Sequence, residues 1–414
     1  MTLSNRRVLY ISYNGMLDPL GQSQVIPYLK ELSGEGVQFT LLSFERPNAY
    51  TSEGRERCEQ LREELAKSEI DWHWLRYHKR LSLPATSYDV LSGIKYGSRL
   101  VRNKKIEMVH ARSHIPATIA LRLKQRFGLK MIFDLRGLMA EEYVDADHWK
   151  KGSVPYRLTK TMESRALQAS DGVVTLTEKI WPAIKGWKGL RGREVIHEVI
   201  PCCADLDLFR FSQSDRDRLR AELHLQDRFV LVYSGSIGGW YLTDRTADFF
   251  VALLKRKPQG HFLWLTGGDK GLIERLMSDR GVNSSQFTVR RVAPSEVPGY
   301  LSASDVGIAF YKPTFSRLAT SPVKVSEYLA CGLPVIVNAG VGDSDTFVTA
   351  QKVGSVVKDF EEGDYEKTLI TIENLLAGDV HERARTVAEN FFDVRRLGLE
   401  RYARLYEKIF NLPN

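Results

Sequence analysis

The stretch Ser321-Pro-Val-Lys-Val-Ser-Glu-Tyr-Leu-Ala-Cys-Gly-Leu-Pro-Val-Ile-Val-Asn338 constrains the fold more than any other part of the chain. It reads as a short helix, a glycine stop and a buried strand. Ser321 is a residue type that caps helix N-termini, and Pro322 suits a first turn, where a missing N–H costs nothing. Gly332 supplies a left-handed residue to end the helix, and Pro334 prevents a restart. Pro-Val-Ile-Val is apolar and β-branched, like the strands inside parallel sheets. The free N–H groups at such a helix start make an anion site. Lys324 and Glu327, three residues apart, share one face near it. Two readings follow: a phosphate on Lys324 and a sugar hydroxyl on Glu327, or an ion pair on an ordinary helix.

The same alternation runs through the whole chain. Val8–Tyr13, 36–43, a strand carrying Trp72, Trp74 and Tyr77, then Met108–Ala111, Lys130–Asp134, Gly172–Thr177 and Val195–Ile200 read as strands, with helices between them. Those helices include Gln22–Leu32, 53–69, Tyr88–Val101 and one starting at Glu178. A turn with Gly15 and Gly21 joins the first strand to its helix but lacks the full dinucleotide fingerprint. Pro201-Cys-Cys-Ala-Asp205 reads as a boundary. A second series follows: Phe229–Tyr233, His261–Thr266, Phe287–Arg291, Val306–Phe310, Val335–Asn338 and Gly354–Val357, closed by a helix from Val394 to Phe410. Ser234-Gly-Ser-Ile-Gly-Gly-Trp240 puts three glycines at a strand-to-helix turn, which permits close backbone approach to a ligand. The expected fold class is α/β: two doubly wound, Rossmann-like domains facing a cleft, residues 1–205 and 206–392, with a helix at 393–414. Length agrees, since 414 residues exceed one ordinary domain.

Composition excludes some classes. Hydrophobic content of 43% and charged content of 27% belong to a globular chain with an ample core. No apolar run approaches a membrane span, and no secretory leader is expected from the start of the sequence. Four cysteines give neither a disulfide framework nor zinc spacing, so a cytoplasmic setting is expected and no metal is. Net charge is +8, with residues 1–200 at +9 and 201–414 at −1. The segment His78-Lys-Arg80, Lys95, Arg99, Arg102, Lys104 and Lys105 accompanies an amphipathic helix. That pattern suits an anionic membrane surface, nucleic acid or simply a solvated basic face, and no nucleic-acid motif accompanies it.

On these segments the chain resembles the GT-B glycosyltransferases, and the retaining family 4 in particular. Gly21 with its helix and Gly36-Val-Gln-Phe, Ala169–Thr177, Val199–Asp205 and Val232–Gly239 carry the likeness. Ser321–Asn338 with Gly340-Val-Gly-Asp343 is its most specific part. The resemblance implies transfer of a sugar from a nucleotide diphosphate sugar to a glycan or lipid-linked acceptor, with retention and without a metal cofactor. The second domain would bind donor and the first acceptor, with the last helix returning to the first domain. Glu327 would take the ribose, Lys324 and the loop Ser234, Gly235, Ser236, Gly238 and Gly239 the diphosphate, and the edge at Arg291 the base. Gly21 and Ser321 would line the donor site.

The chain departs from that family at three places. The family's second glutamate, eight residues before Glu327, is here Ala319. The first donor-domain loop lacks its usual Arg and Lys, leaving Arg317 and Lys324 to supply charge from another side. The histidine after the strand ending at Phe133 is replaced by Asp134-Leu-Arg136; Arg136 is then the sugar or phosphate contact and Asp134 orients it. His114, Glu141 and Glu142 are candidate acceptor contacts, beside the plainer readings of packing and solvated acids. Two rivals share the fold: a nucleotide-sugar epimerase, and a non-catalytic nucleotide-sugar sensor or scaffold. A role on the inner face of the membrane completes the expectation.

Overall fold

Seven strands make the first sheet: β1 (Arg7–Ser12), β2 (Gln38–Glu45), β3 (Ile70–Arg76), β4 (Met108–Arg112), β5 (Lys130–Asp134), β6 (Gly172–Thr175) and β7 (Ile196–Val199). Six make the second: β8 (Val230–Ser234), β9 (His261–Leu265), β10 (Phe287–Arg290), β11 (Val306–Ala309), β12 (Val335–Asn338) and β13 (Gly354–Val357). The structure, a computed structural model, describes residues 3–78 and 82–413. The orders are β3-β2-β1-β4-β5-β6-β7 and β10-β9-β8-β11-β12-β13. Neighbouring strands pair in parallel, with Val8 opposite Phe39 and Met108, and Val335 opposite Gly307 and Gly354. In each sheet the winding reverses once, between β1 and β4 and between β8 and β11. Doubly wound sheets bind ligands at the carboxyl ends of the strands beside such a reversal.

The chain divides into two units, Met1–Pro201 with Val394–Asn414, and Cys202–Asp393. In the second, β12 shows why the sequence folds this way. Its residues are buried on both faces, Ile336 among Phe249, Phe250, Phe262 and Trp264, and Val335 and Val337 among Val325, Tyr328 and Leu329. The helices Thr243–Arg256 and Val323–Ala330 bury one stripe each against these two faces. In the first unit the terminal helix Leu399–Phe410 packs on the sheet. Tyr402 donates to Asp134 at 2.9 Å, Tyr406 meets His110 at 2.7 Å, and Arg404 forks onto Glu198 at 2.9 Å through both nitrogens.

Several local expectations need correction. The segment expected as one helix, Gln22–Leu32, is two, Pro19–Gln24 and Ile26–Gly34, broken at Val25. Pro27 explains the break, because it has no N–H to continue the first helix. The terminal helix opens with a wider π-helical turn, Val394–Gly398, whose Gly398 makes room for the Tyr28 ring. The helix expected from Glu178 is the single short turn Trp181–Lys185. Ser321 does not cap its helix: its Oγ accepts from the Cys202 N–H at 3.1 Å, and Pro322 occupies the N-cap without a side-chain bond. Gly332 ends the helix as expected, at φ +75.

All four cysteines are free and buried. Among the described residues no helix is long and apolar enough to cross a membrane. The helix Ser82–Lys104 presents Tyr88 and Leu91 to solvent, 59% and 66% exposed, and exposed Lys95, Arg99 and Arg102 further along. Of the basic segment read from the sequence, Lys79 and Arg80 lie outside the described residues.

Candidate functional site

The second unit gathers its candidate residues at the reversal between β8 and β11. β8 ends at Ser234 and runs into the glycine loop, where Gly235, Gly238 and Gly239 all take positive φ, at +127, +71 and +60. Side chains other than glycine's are strained there. The loop is held at both ends. The Ser234 N–H donates to the Tyr328 hydroxyl at 2.7 Å, and the Gly238 N–H donates to Thr243 Oγ1 at 3.0 Å. The Tyr233 hydroxyl donates to the Ser236 carbonyl.

Lys324 comes up beneath this loop from the helix Val323–Ala330. It is 7% exposed, and its Nζ has no hydrogen-bond partner among the described residues. A Cβ at Gly235 would stand 3.1 Å from that Nζ, so the glycine leaves the ammonium its place. Burial pulls the Lys324 ammonium down to about 7, against the pull of Glu327. Glu327, half-buried on the same helix, is pushed up by burial, against Lys324. Arg317 lies in the turn Phe315–Ala319, with its guanidinium 5.2 Å from the centre of the Trp240 ring. The two cations expected to replace the missing loop charges therefore both adjoin that loop. Ala319 is 2% exposed, its methyl packed inward. Arg291 follows the end of β10 and is exposed; its Nε lies 3.6 Å from where a Cβ on Gly267 would be. Ile237 in turn fills the space a side chain on Gly268 would take, so the loops after β8, β9 and β10 adjoin.

In the first unit the glycine turn packs closely on its own backbone and on Glu45. Glu45 is buried at the end of β2 and accepts from Ser43 Oγ at 2.6 Å and the Met16 N–H at 2.7 Å. A Cβ on Gly15 would meet Glu45 Oε2 at 2.5 Å, and one on Gly21 would meet the Gly15 carbonyl at 2.2 Å. Beside this turn, Asp134 is 1% exposed and Arg136 lies 3.8 Å from it. Arg136 takes φ +51 and donates to Gln24 at 3.3 Å. Burial would raise the Asp134 carboxyl, but Arg136, His110 and Arg112 outweigh it and hold it below the ordinary value. Burial pulls the His110 imidazole down, so it is neutral near pH 7. Ser113, at the end of β4, has φ +73 and ψ −178, a strained conformation for a residue with a side chain.

Two of the acceptor candidates belong to another network. His114 Nε2 meets Glu163 at 2.9 Å, and Lys160 joins Glu163 to Glu141, 3.0 Å away. Glu142 reaches back toward Gly137, where a Cβ would stand 2.5 Å from its Oε1. His114 is buried and Glu141 partly so. Sequence reasoning passed over Tyr233, Tyr241, Tyr311 and Asn338, all of which shape the Lys324 site. The available signal was a tyrosine at the end of each strand beside the reversal, in Val-Tyr233-Ser and Phe-Tyr311-Lys.

Comparison with known proteins bears on the fold. Residues 311–392 match the family model of the glucosyltransferase 3-like C-terminal domain. TuaH of Bacillus subtilis, a candidate glycosyltransferase of teichuronic acid biosynthesis, is 27% identical over 186 residues, 44% of this chain and 43% of TuaH. The match thus spans less than half of that relative. Among solved structures, sucrose-phosphate synthase from Thermosynechococcus elongatus has a TM-score of 0.72 at 17% identity, over 98% of this chain and 99% of that one. Anabaena HepE, solved with UDP and glucose, has 0.70 at 15%, over 98% and 100%. WaaG, a glycosyltransferase of lipopolysaccharide biosynthesis, has 0.68 at 15%, over 96% and 99%. The fold is that of the GT-B glycosyltransferases.

Proposed function

We propose that the chain is a retaining, metal-independent glycosyltransferase resembling family 4, which moves a sugar from a nucleotide diphosphate sugar to a glycan or lipid-linked acceptor in polysaccharide or glycoconjugate assembly. The observation that carries this reading is the Lys324 ammonium, buried without a hydrogen-bond partner among the described residues and set beneath the glycine loop at the strand-order reversal. A buried cation left unpartnered costs free energy, which an arriving anion offsets. The family likeness of residues 311–392 and of TuaH supports the same class.

In this reading the bond between the sugar's anomeric carbon and the diphosphate oxygen breaks. The acceptor hydroxyl oxygen bonds to that carbon from the same face, and its proton passes to the leaving phosphate. The chain supplies position and charge rather than a nucleophile. Lys324, Arg317 and the amides after Ser234 stabilise the charge growing on the diphosphate, and Glu327 takes the ribose hydroxyls. Arg136 contacts sugar or phosphate, oriented by Asp134, and the region of His114, Glu141 and Glu142 receives the acceptor. The test is a thermal-shift screen of nucleoside diphosphates and their sugars, since a ligand of the folded state raises its midpoint. Transfer assays with NMR of the anomeric product, with and without EDTA, follow. No shift with any nucleotide sinks the reading. Ala319 favours one rival, a non-catalytic sensor, and donor binding without turnover on any acceptor extract would establish it.

Placement at the inner face of the membrane belongs to the same proposal. Tyr88 and Leu91 beside Lys95, Arg99 and Arg102 combine apolar tips with cations, which suits an anionic lipid surface. Vesicles with anionic lipid should float the protein in a salt-sensitive way, and failure to do so removes this part.

A further inference from the structure

The Lys324 ammonium, without a hydrogen-bond partner among the described residues, is ringed. Its Nζ lies 3.8 Å from the centre of the Tyr233 ring, 4.7 Å from Tyr241 and 5.6 Å from Tyr311. We infer that these three tyrosines form an aromatic cage that positions the Lys324 ammonium, with its N–H donors left open, for the phosphate of a diphosphate ligand. The inference rests on the donor reading above and deepens it.

Ring faces attract a cation within about 6 Å through their quadrupole, and more strongly where water is excluded. They differ from a carboxylate in what they leave behind. A carboxylate would take the N–H donors and cancel the charge, and an incoming phosphate would have to displace it. Rings hold the ammonium in place and leave its donors free for another acceptor. At this site all three rings converge on one atom from separate elements, and each is fixed by something else.

Tyr233 stands next to last in β8, and its hydroxyl is spent on the Ser236 carbonyl, inside the glycine loop. Tyr241 closes that loop. It forms an isolated antiparallel bridge with Tyr311, and their ring centres are 5.0 Å apart. Tyr311 follows β11, and the Asn338 side chain at the end of β12 holds both its backbone groups, accepting from its N–H at 2.8 Å and donating to its carbonyl at 3.0 Å. Loop, both strands of the reversal and the next strand thus set the cage, while Gly235 leaves the ammonium's place open. Simple packing would need the ring area only; it gives no reason for the rings to surround a lysine nitrogen.

The test is a double-mutant cycle on the full chain, with binding of uridine, guanosine, adenosine, cytidine and thymidine diphosphates and of inorganic pyrophosphate measured by calorimetry. Tyr241→Leu removes one ring face, Tyr241→Phe keeps it, and Lys324→Met removes the charge. Tyr241→Leu should weaken diphosphate binding about tenfold, and Tyr241→Phe by less than about twofold. In the Lys324→Met background, Tyr241→Leu should have no further effect. An equal loss in that background, or an equal loss in Tyr241→Phe, would show that Tyr241 acts by packing and overturn the cage. A second readout needs no nucleotide: NMR titration of the lysine side chains in the unliganded protein. Tyr241→Leu should shift the Lys324 titration and Tyr241→Phe leave it in place; if neither moves it, the cage fails. A cage confirmed by titration in a protein that binds no diphosphate would overturn the donor reading and the phosphate half of this inference, leaving only the cation cage. Thermal melts of each variant separate these outcomes from misfolding.

Discussion

The two sheets place a cation at corresponding points and treat it in opposite ways. Beside the β1/β4 reversal, Arg136 faces the buried Asp134 at 3.8 Å and donates to Gln24, and Asp134 is held from behind by Tyr402. Beside the β8/β11 reversal, Lys324 meets three ring faces, and its Nζ makes no hydrogen bond among the described residues. Breaking a buried pair strands a charge, whereas removing an unpartnered buried cation relieves one. Losing one partner of the first arrangement therefore costs stability, and the second holds binding energy in reserve.

The largest effect tests the paired side. Asp134→Ala should cost about 3–5 kcal/mol of folding stability, because it leaves Arg136 without its carboxylate and the Tyr402 hydroxyl without its acceptor. Denaturant unfolding measures it. A loss below about 1 kcal/mol would mean that Arg136 finds other partners and the contrast is overstated.

Next comes the unpaired side. Lys324→Met and Glu327→Ala should each weaken donor binding by about 1.5–3 kcal/mol, the usual worth of a hydrogen bond to a charged group. Lys324→Met should at the same time leave the unliganded fold as stable or more so. Opposite signs for binding and stability are the mark of this site, and a fall in both would assign Lys324 to structure alone. Smaller again, Tyr402→Phe should cost about 1–2 kcal/mol of stability through the lost bond to Asp134, read by thermal unfolding.

How much of this was legible in the sequence depends on the range over which each contact acts. β12 could be read directly, because Val335–Asn338 is a β-branched run behind a glycine stop, and both signals are local. The same holds for the glycine loop after Ser234. The face shared by Lys324 and Glu327 followed from helical spacing. The cage did not, because Tyr233, Tyr241 and Tyr311 converge only once the order β9-β8-β11-β12 is known. Ser321 looked like a cap, yet its hydroxyl is taken by Cys202, 119 residues away in the chain. Asp134 was readable as a charge at a strand end, but its bond from the Tyr402 hydroxyl, far along the sequence, was not. Periodicity reports which face a residue occupies; it does not report which distant side chain will meet it there.

The remaining effect, of about 1.4 kcal/mol per pH unit at most, is set by the proton on Lys324. Its folded value of about 7 lies below the ordinary 10.5, because burial disfavours the charge. Below pH 7 folded and unfolded chains both carry the proton, and the penalty of burying the ammonium is complete. Between pH 7 and 10.5 the unfolded chain holds a proton that the folded chain has released, so this contribution to stability rises with pH. Glu327 acts in the other direction. Its carboxyl is pushed up by burial, so just above the ordinary carboxylate range the folded chain holds a proton that the unfolded chain lacks, and its contribution falls as pH rises. A bound diphosphate favours the protonated lysine, so donor binding should take up a proton and weaken as pH is raised from 7 to 9. Calorimetry in buffers of different ionisation enthalpy measures that uptake. Lys324→Met should abolish both the uptake and the rise in stability over the same interval; if the variant keeps the wild-type pH dependence, another group carries it and the cation under the glycine loop is not the one that meets the donor.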